Sequence, residues 1–210
     1  NTSVLEGVAM STTKKIIIVD DDDLLRDSLK EQFSLHDEFT VSEAATIGAR
    51  LAALSAFRSQ GAEILLVDGG SADETLECAA PYVDRATRAP RGRAMQMNVG
   101  ATLARGDILL FVHADTTLPP NALALVRDGL AATDRAWGRF DVRIAGRHPL
   151  LPVVATLMNL RSGLTGVATG DQAIFVRRAA FDRVSGFPEI ALMEDIAISA
   201  KLKRLSRPLR

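Results

Sequence analysis

The stretch Gly106-Asp-Ile-Leu-Leu-Phe-Val-His-Ala-Asp-Thr-Thr-Leu-Pro-Pro120 decides how the rest of the chain is expected to fold. Residues 108–112 form a continuous apolar run between a glycine and two prolines, which is typical of a strand buried on both faces of a parallel sheet. His113 and Asp115 follow where this strand should end. Ligands of open α/β sheets bind outside the carboxyl ends of the strands. Asp115 therefore has two open interpretations, as a ligand of a metal or polar substrate or as a turn residue.

Apolar strands and amphipathic helices alternate on both sides of this stretch. Strands are predicted at residues 15–19, 64–67 and 140–144, and in the apolar segment that ends at Val176. Helices are predicted around Leu51, Leu54 and Phe57, and at residues 75–82 and 121–130. Such alternation predicts an α/β fold with three layers, in which helices cover both faces of a mostly parallel, mixed sheet.

Composition limits the partners and the compartment of this 210-residue chain. A formal net charge of -1 gives no electrostatic argument for nucleic acid as the main partner. Cys78 is the only cysteine, which excludes a disulfide or a cysteine metal site within the chain and favours a cytoplasmic location. The apolar residues 149–158 are too few to cross a bilayer. They predict either a buried helix or a peripheral contact at the inner face of the membrane.

The N-terminal part resembles a different family from the remainder. Residues 1–13 are interpreted as a tag, linker or upstream segment. At residues 14–45, an apolar strand, four successive aspartates (residues 20–23) and a helix occur in the order typical of a response-regulator receiver domain. That resemblance implies Mg²⁺ binding at Asp20 or Asp21 and phosphorylation of Asp68. No lysine occurs between Lys30 and Lys201, so we expect a fragment without the phosphorylation machinery. A solvated acidic turn is the alternative.

Several loops carry polar residues where a ligand of an α/β sheet would bind. The turn after the strand at residues 64–67 contains Asp68 and Gly69. These residues suit the binding of a base or ribose, and a plain structural turn is the alternative. Arg91 and Arg93 precede a helix, where paired guanidinium groups suit a diphosphate; two surface charges are the alternative. Further candidates are Asn98 on that helix, Asp171 and Gln172 in a glycine-rich loop, and Glu194 and Asp195 at a helix start, where dipole stabilisation is the alternative.

Five motifs together resemble the series found in inverting, metal-dependent family 2 glycosyltransferases. They are Val67-Asp-Gly-Gly-Ser71, Pro90-Arg-Gly-Arg-Ala-Met-Gln-Met-Asn-Val-Gly100, Phe111-Val-His-Ala-Asp-Thr116, Thr169-Gly-Asp-Gln-Ala-Ile-Phe175 and Met193-Glu-Asp195. The resemblance runs from about residue 43 and assigns residues 46–210 to a GT-A domain that is shortened at its C-terminus. It implies a nucleotide-diphosphate sugar as donor, an unknown acceptor, and Mg²⁺ or Mn²⁺ as cofactor.

The resemblance also implies a role for each candidate residue. Asp68 and Gly69 would contact the nucleoside, and Asp115 would bind the metal with His113 beside it. Asp195, next to Glu194, would be the catalytic base. The remaining predicted substrate-binding residues are Glu43, Arg91, Arg93, Asn98, Asp171 and Gln172. The family's first strand normally ends in a Pro-x-x-Asn-Glu element, of which only Ser42-Glu43 is present. Whether the strand at residues 15–19 takes the sheet position of that first strand is left open by the sequence.

Overall fold

The computed structural model describes residues 15–21, 44–71, 75–113 and 116–210. The predictions made for Glu43 and Asp115 therefore concern residues outside the described part of the chain. The same holds for the helix predicted after the four aspartates. Residues 15–21 and 44–210, with their two short gaps, form one continuous α/β arrangement around a single sheet.

Six strands form this sheet in the order β3-β2-β1-β4-β6-β5. The strands are β1 Lys15–Asp21, β2 Ala62–Asp68, β3 Arg85–Arg88, β4 Ile108–His113, β5 Trp137–Gly138 and β6 Phe175–Arg177. The first four in spatial order run parallel, whereas β6 is antiparallel to both β4 and β5. The sheet is therefore mixed, and the α/β class predicted from the sequence is confirmed.

Helices connect the strands and continue to the end of the chain. They are α1 Ala44–Ser55, α2 Thr75–Ala79, α3 Arg93–Leu103, α4 Ala122–Ala131, α5 Leu151–Thr165, α6 Arg178–Arg183 and α7 Glu194–Leu202. Short 3-10 turns follow α1 and α2 at Ala56–Gln60 and Ala80–Tyr82, and a third lies at Gly170–Gln172. In the described residues, no helix is long and apolar enough to cross a membrane.

Strand β1 occupies the centre of the parallel part of the sheet. It pairs with β2 from Lys15 opposite Ala62 to Asp21 opposite Asp68. On its other edge it pairs with β4, where Asp20 lies opposite His113. β1 thus lies between two strands of the glycosyltransferase-like part of the chain, which answers the question of placement that the sequence left open.

Alternate side chains of β2 and β4 supply the two faces of the core. Ile64 and Leu66 pack in one apolar cluster with Leu51 of α1 and Leu123 of α4. On the other face, Leu65 and Phe111 pack in a second cluster, which includes residues of α3 and α7. Because successive side chains of a strand point to opposite faces, the continuous apolar runs of β2 and β4 are explained by helices on both sides.

The strand predicted at residues 140–144 is wrong, because β5 ends at Gly138. Phe140 donates its N–H to the backbone carbonyl of Gln172 in a 3-10 turn, and the backbone of Val142 bonds to a side chain. Val142 donates its N–H to Asn159 Oδ1 at 2.8 Å and accepts a hydrogen bond from Asn159 Nδ2 at 2.9 Å. One asparagine of α5 therefore satisfies both backbone groups that a strand partner would otherwise have paired.

For the helix predicted at residues 149–158, the predicted burial is wrong. Residues 151–165 are helical, as α5, but only Ala155 and Ser162 are buried in that helix. Leu157 is 59% exposed and Leu164 is 78% exposed. α5 therefore lies on the outside of the molecule with large apolar side chains facing away from the core.

We expect Gly138→Ala to lower the free energy of unfolding by about 1–3 kcal/mol, because an added Cβ overpacks the core. It would lie 2.6 Å from Phe175 Cε2 and 2.7 Å from Leu209 Cβ. Gly163→Ala is the matched control, since its Cβ would approach no atom closer than 3.4 Å. In helix α5 that change should raise stability by about 0.5–1 kcal/mol. Urea unfolding measures both, and equal effects would contradict the packing described for β5.

Candidate functional site

The candidate site lies at the carboxyl-end edge of the parallel strands. The register places Asp21 of β1 opposite Asp68 of β2, and Asp20 of β1 opposite His113 of β4. Because β1 separates β2 from β4, the sites predicted at Asp68 and His113 are one strand apart along this edge. This is where ligands bind in open α/β sheets.

Asp68 is buried and has a partner for each carboxylate oxygen. Oδ1 accepts a hydrogen bond from the Ser71 backbone N–H at 3.0 Å, and Oδ2 accepts one from Arg88 Nε at 3.3 Å. Arg88 lies opposite Asp68 in the β2–β3 register, and its side chain is 62% exposed. Nothing in the sequence singled out Arg88, because only the pairing of β3 with β2 brings it to Asp68.

Gly69 has a close neighbour in Gln96, a buried residue of α3. A Cβ at Gly69 would lie 2.9 Å from Gln96 Oε1. Gln96 Nε2 donates to the Val67 carbonyl at 3.3 Å, and Gln96 Oε1 accepts from the Gly92 N–H at 3.3 Å. This amide therefore joins the end of β2 to the loop that carries the two predicted diphosphate-binding arginines.

Those two arginines lie where α3 begins. Arg91 is exposed in the bend before the helix, whereas Arg93 is half-buried and is the first helical residue. Gly92 between them has a φ of 133°, a conformation that residues with a Cβ rarely adopt. The glycine thus sets the backbone turn between Arg91 in the bend and Arg93 in the helix, while their contact with a diphosphate stays a prediction.

His113, Gly170 and Asp195 meet in one small pocket, which Phe111 and Phe187 also line. The Gly170 N–H donates to Asp195 Oδ2 at 2.6 Å, and the Ile196 N–H donates to Asp195 Oδ1 at 2.7 Å. The His113 imidazole occupies the space that a Cβ on Gly170 would need, with Nδ1 3.3 Å from that position. The predicted metal neighbour and the predicted base are therefore brought together by a glycine.

Of the two adjacent carboxylates, only Asp195 lines the pocket. Glu194 is 3% exposed and begins α7, whereas Asp195 is half-buried. Met193 before them has a φ of 66°, in the left-handed region. This local conformation starts α7 so that the second carboxylate, and not the first, contacts the Gly170 turn.

The Gly170–Gln172 turn separates its two predicted substrate-binding side chains. Asp171 is half-buried, whereas Gln172 is 1% exposed. Gln172 Oε1 accepts a hydrogen bond from the Thr169 N–H at 3.2 Å, and its Nε2 donates to Asn159 Oδ1 at 3.3 Å. These contacts make Gln172 a residue that holds the turn in place; its contact with a substrate stays a prediction.

Asn98 contacts the turn at Gly186-Phe187. Its Nδ2 donates to the Phe187 carbonyl at 2.9 Å, and its Oδ1 accepts from the Phe187 N–H at 2.9 Å. Gly186 has a φ of 64°, and a Cβ there would lie 2.6 Å from Asn98 Oδ1. Asn98 therefore holds Phe187 in the wall of the pocket, and a direct contact with substrate stays a prediction.

A charged cluster supports the far side of the Gly170 turn. The buried Arg139 donates to Asp141, to which Arg210 Nε also donates at 2.8 and 2.9 Å. Burial raises the pKa of the Asp141 carboxyl, but hydrogen bonds from Arg210 and Arg139 outweigh it, so this pKa lies below its ordinary value. Arg139 also donates to the Asn159 carbonyl at 3.3 Å. The cluster thereby helps to fix the asparagine that contacts Gln172.

Among the described residues, no group of three or more His, Cys, Asp or Glu side chains could hold a metal ion. His113 and Asp195 line one pocket, and Asp115 lies outside the described residues. Mg²⁺ is usually bound through one or two carboxylates together with substrate phosphates. A site completed by a diphosphate is therefore compatible with the residues present.

Comparison with protein families gives one match, to the family described as Glycosyl transferase family 2, over residues 39–183. The receiver-like segment at residues 14–45 has no support from these comparisons. A search of curated proteins found no significant match.

Solved structures show the same fold at low sequence identity. The mannosyltransferase PcManGT from Pyrobaculum calidifontis, in complex with GDP-Man and Mn²⁺, has a TM-score of 0.66 at 19% identity, covering 93% of this chain and 53% of its own. TarS from S. aureus, in complex with UDP-GlcNAc, has a TM-score of 0.63 at 20% identity. The match covers 90% of this chain and 53% of the TarS chain. Glucosyl-3-phosphoglycerate synthase from Mycobacterium tuberculosis, in complex with Mn²⁺, UDP and phosphoglyceric acid, has a TM-score of 0.62 at 16% identity. The match covers 94% of this chain and 67% of the synthase chain. The chain thus spans about half the length of the first two.

We expect Asn98→Ala to lower the free energy of unfolding by about 2 kcal/mol or more, because it leaves two backbone groups of Phe187 without their partner. Asn121→Ala is the matched control, since Asn121 is exposed and makes no capping hydrogen bond. Its effect should stay within about 0.5 kcal/mol. Chemical unfolding measures both changes. An Asn98→Ala protein as stable as the control would refute the positioning role and leave only the predicted contact with substrate.

Proposed function

The chain belongs to glycosyl transferase family 2, and on that basis we propose that it transfers a sugar from a nucleotide-diphosphate donor to an acceptor hydroxyl with inversion. The observation that carries the proposal is the meeting of His113, Gly170 and Asp195 in one pocket. Asp68 lies at the same edge of the sheet, separated from His113 by β1. A nucleotide bound across that edge would place its sugar toward the pocket.

The nucleoside is proposed to bind at the turn after β2. Asp68 fixes this turn through the Ser71 N–H, and Gly69 presents backbone without a side chain. A carboxylate offers about four acceptor positions. Among the described residues, Asp68 has one protein donor on each oxygen, from Ser71 and from Arg88. Its remaining acceptor capacity suits a hydroxyl of ribose or an N–H of a base.

The diphosphate is proposed to bind between the start of α3 and the end of β4. Arg91 and Arg93 would contact phosphate oxygens there, where the helix dipole also favours negative charge. Asp115, with His113 beside it, would hold a Mg²⁺ or Mn²⁺ ion that neutralises charge developing on the leaving diphosphate.

Asp195 is proposed as the general base. The Gly170 and Ile196 N–H groups each hold one of its oxygens, which fixes the orientation of the carboxylate in the pocket. From there it would accept the proton of the acceptor hydroxyl as that oxygen attacks the anomeric carbon. One displacement of this kind inverts the configuration. Glu194, buried beside it, would support the helix start, and Asp171 is proposed to face the acceptor.

Calorimetric titration with UDP- and GDP-sugars, with and without Mn²⁺, tests this proposal. We expect binding of at least one donor that requires the metal and is lost in Asp115→Ala. Binding that persists in Asp115→Ala without metal would contradict the metal role. No binding of any nucleotide sugar would favour an inactive member of the family.

Asp195→Asn separates catalysis from binding in the same experiment. It keeps the size of the side chain and an oxygen that can accept the Gly170 N–H, so donor affinity should change by less than about threefold. Transfer should fall by about 10²-fold or more, because the proton acceptor is removed. Parallel loss of donor binding and transfer would assign Asp195 a structural role. Labelling of Asp68 by acetyl phosphate would instead support the receiver interpretation.

A further inference from the structure

Helix α5 carries a concentrated apolar surface on its exposed side. Six of the ten strongly exposed large apolar side chains in the described part of the chain lie on or next to it. We call this set the outer face of α5; its members are Leu150, Val153, Val154, Leu157, Leu160 and Leu164, between 44% and 78% exposed. Their spacing of three and four residues places them along one side of a helix.

The opposite side of α5 is fixed to the protein. Ala155 and Ser162 are its buried residues. Asn159 bonds to both backbone groups of Val142 and to Gln172 Nε2. The helix therefore cannot rotate its outer face into the core without breaking these contacts. A large exposed apolar patch of this kind marks a surface that binds a protein or a membrane.

Between Asp141 and Asp171, the charged residues along the chain nearest to the outer face are arginines. Residues 142–170 contain no Asp or Glu, whereas Arg143, Arg147 and Arg161 are exposed in the same stretch. Arg161 lies four residues after Leu157 and three before Leu164, so it shares the outer face. An exposed apolar stripe with basic residues is the pattern of a helix that lies in the surface of an anionic membrane.

We propose that the outer face of α5 docks onto the surface of a lipid bilayer that contains anionic lipids. The helix lies parallel to that surface. Its 15 residues extend about 22 Å, less than the roughly 30 Å of a bilayer core. The leucines and valines enter the boundary between headgroups and acyl chains, and the arginines contact lipid phosphates.

Charge favours a membrane over a second copy of the chain as the occupant of this face. A pair of α5 helices packed through their outer faces would bring Arg161 of both copies into one interface. The outer face itself carries no carboxylate to balance this charge, and like charges across an interface oppose association.

Docking through this face would also orient the candidate site. α5 ends at Thr165, and four residues lead from there to the Gly170–Gln172 turn that contacts Asp195. The membrane-docking helix is therefore joined directly to a wall of the pocket. The inference rests on exposure and charge alone, and it holds whether or not the proposed transfer is correct.

Flotation of the full chain with vesicles tests the inference. Vesicles of phosphatidylcholine mixed with phosphatidylglycerol should carry the protein upward at 0.1 M salt, and phosphatidylcholine vesicles should carry much less. Leu157→Gln should weaken partitioning about tenfold, since it removes an apolar side chain from the contact. Arg161→Gln should weaken it about fivefold, and only with anionic vesicles.

Leu125→Gln is the matched control, because Leu125 is 50% exposed but lies on α4. It should partition like the unchanged protein. Thermal melting of each variant checks that the fold is kept. Absence of flotation with anionic vesicles would overturn the inference. So would equal losses in Leu125→Gln and Leu157→Gln. Self-association that disappears in Leu157→Gln, without vesicle binding, would assign the face to a second copy.

Discussion

The pairing of β1 between β2 and β4 is the constraint on which the rest of the structure depends. Without it, the described strands would form two separate groups, β3 with β2 and β4 with β6 and β5. The facing edges of β2 and β4 would then leave backbone groups unpaired, at about 1–3 kcal/mol for each buried group. β1 also sets the distance between the turn after Asp68 and the end of β4 at His113. Both parts of the proposed donor site are thus positioned by a strand that lies before the segment matched to the family.

Glycines at close contacts determine the geometry of the site itself. Gly69 allows Gln96 to lie against the turn after β2, and Gly170 allows His113 to lie against the turn that bonds to Asp195. Gly186 does the same for Asn98. In each case a polar side chain occupies the space of a missing Cβ and bonds to, or contacts, a backbone turn. The site is therefore assembled by backbone turns packed on side chains from α3 and β4, so its shape depends on the core beneath it.

The sequence predicted the fold where local patterns and the final environment agree. The runs at β2 and β4 have helices on both faces, so their apolar character reports burial correctly. The strand prediction failed at residues 140–144, because Asn159, which lies on a helix distant in sequence, forms the hydrogen bonds with both backbone groups of Val142. The prediction that the apolar residues of α5 are buried also failed, because composition cannot distinguish an apolar side that faces the core from one that faces outward. Arg88 was missed because its contact with Asp68 arises only from the strand register.

Hydrogen–deuterium exchange of the backbone amides in Lys15–Asp21 tests the central role of β1 most directly. If β1 is paired on both edges, these amides should exchange as slowly as those of Ala62–Asp68 and Ile108–His113. Exchange of Lys15–Asp21 at the rate of an unstructured peptide, while the two neighbouring strands stay protected, would contradict the account.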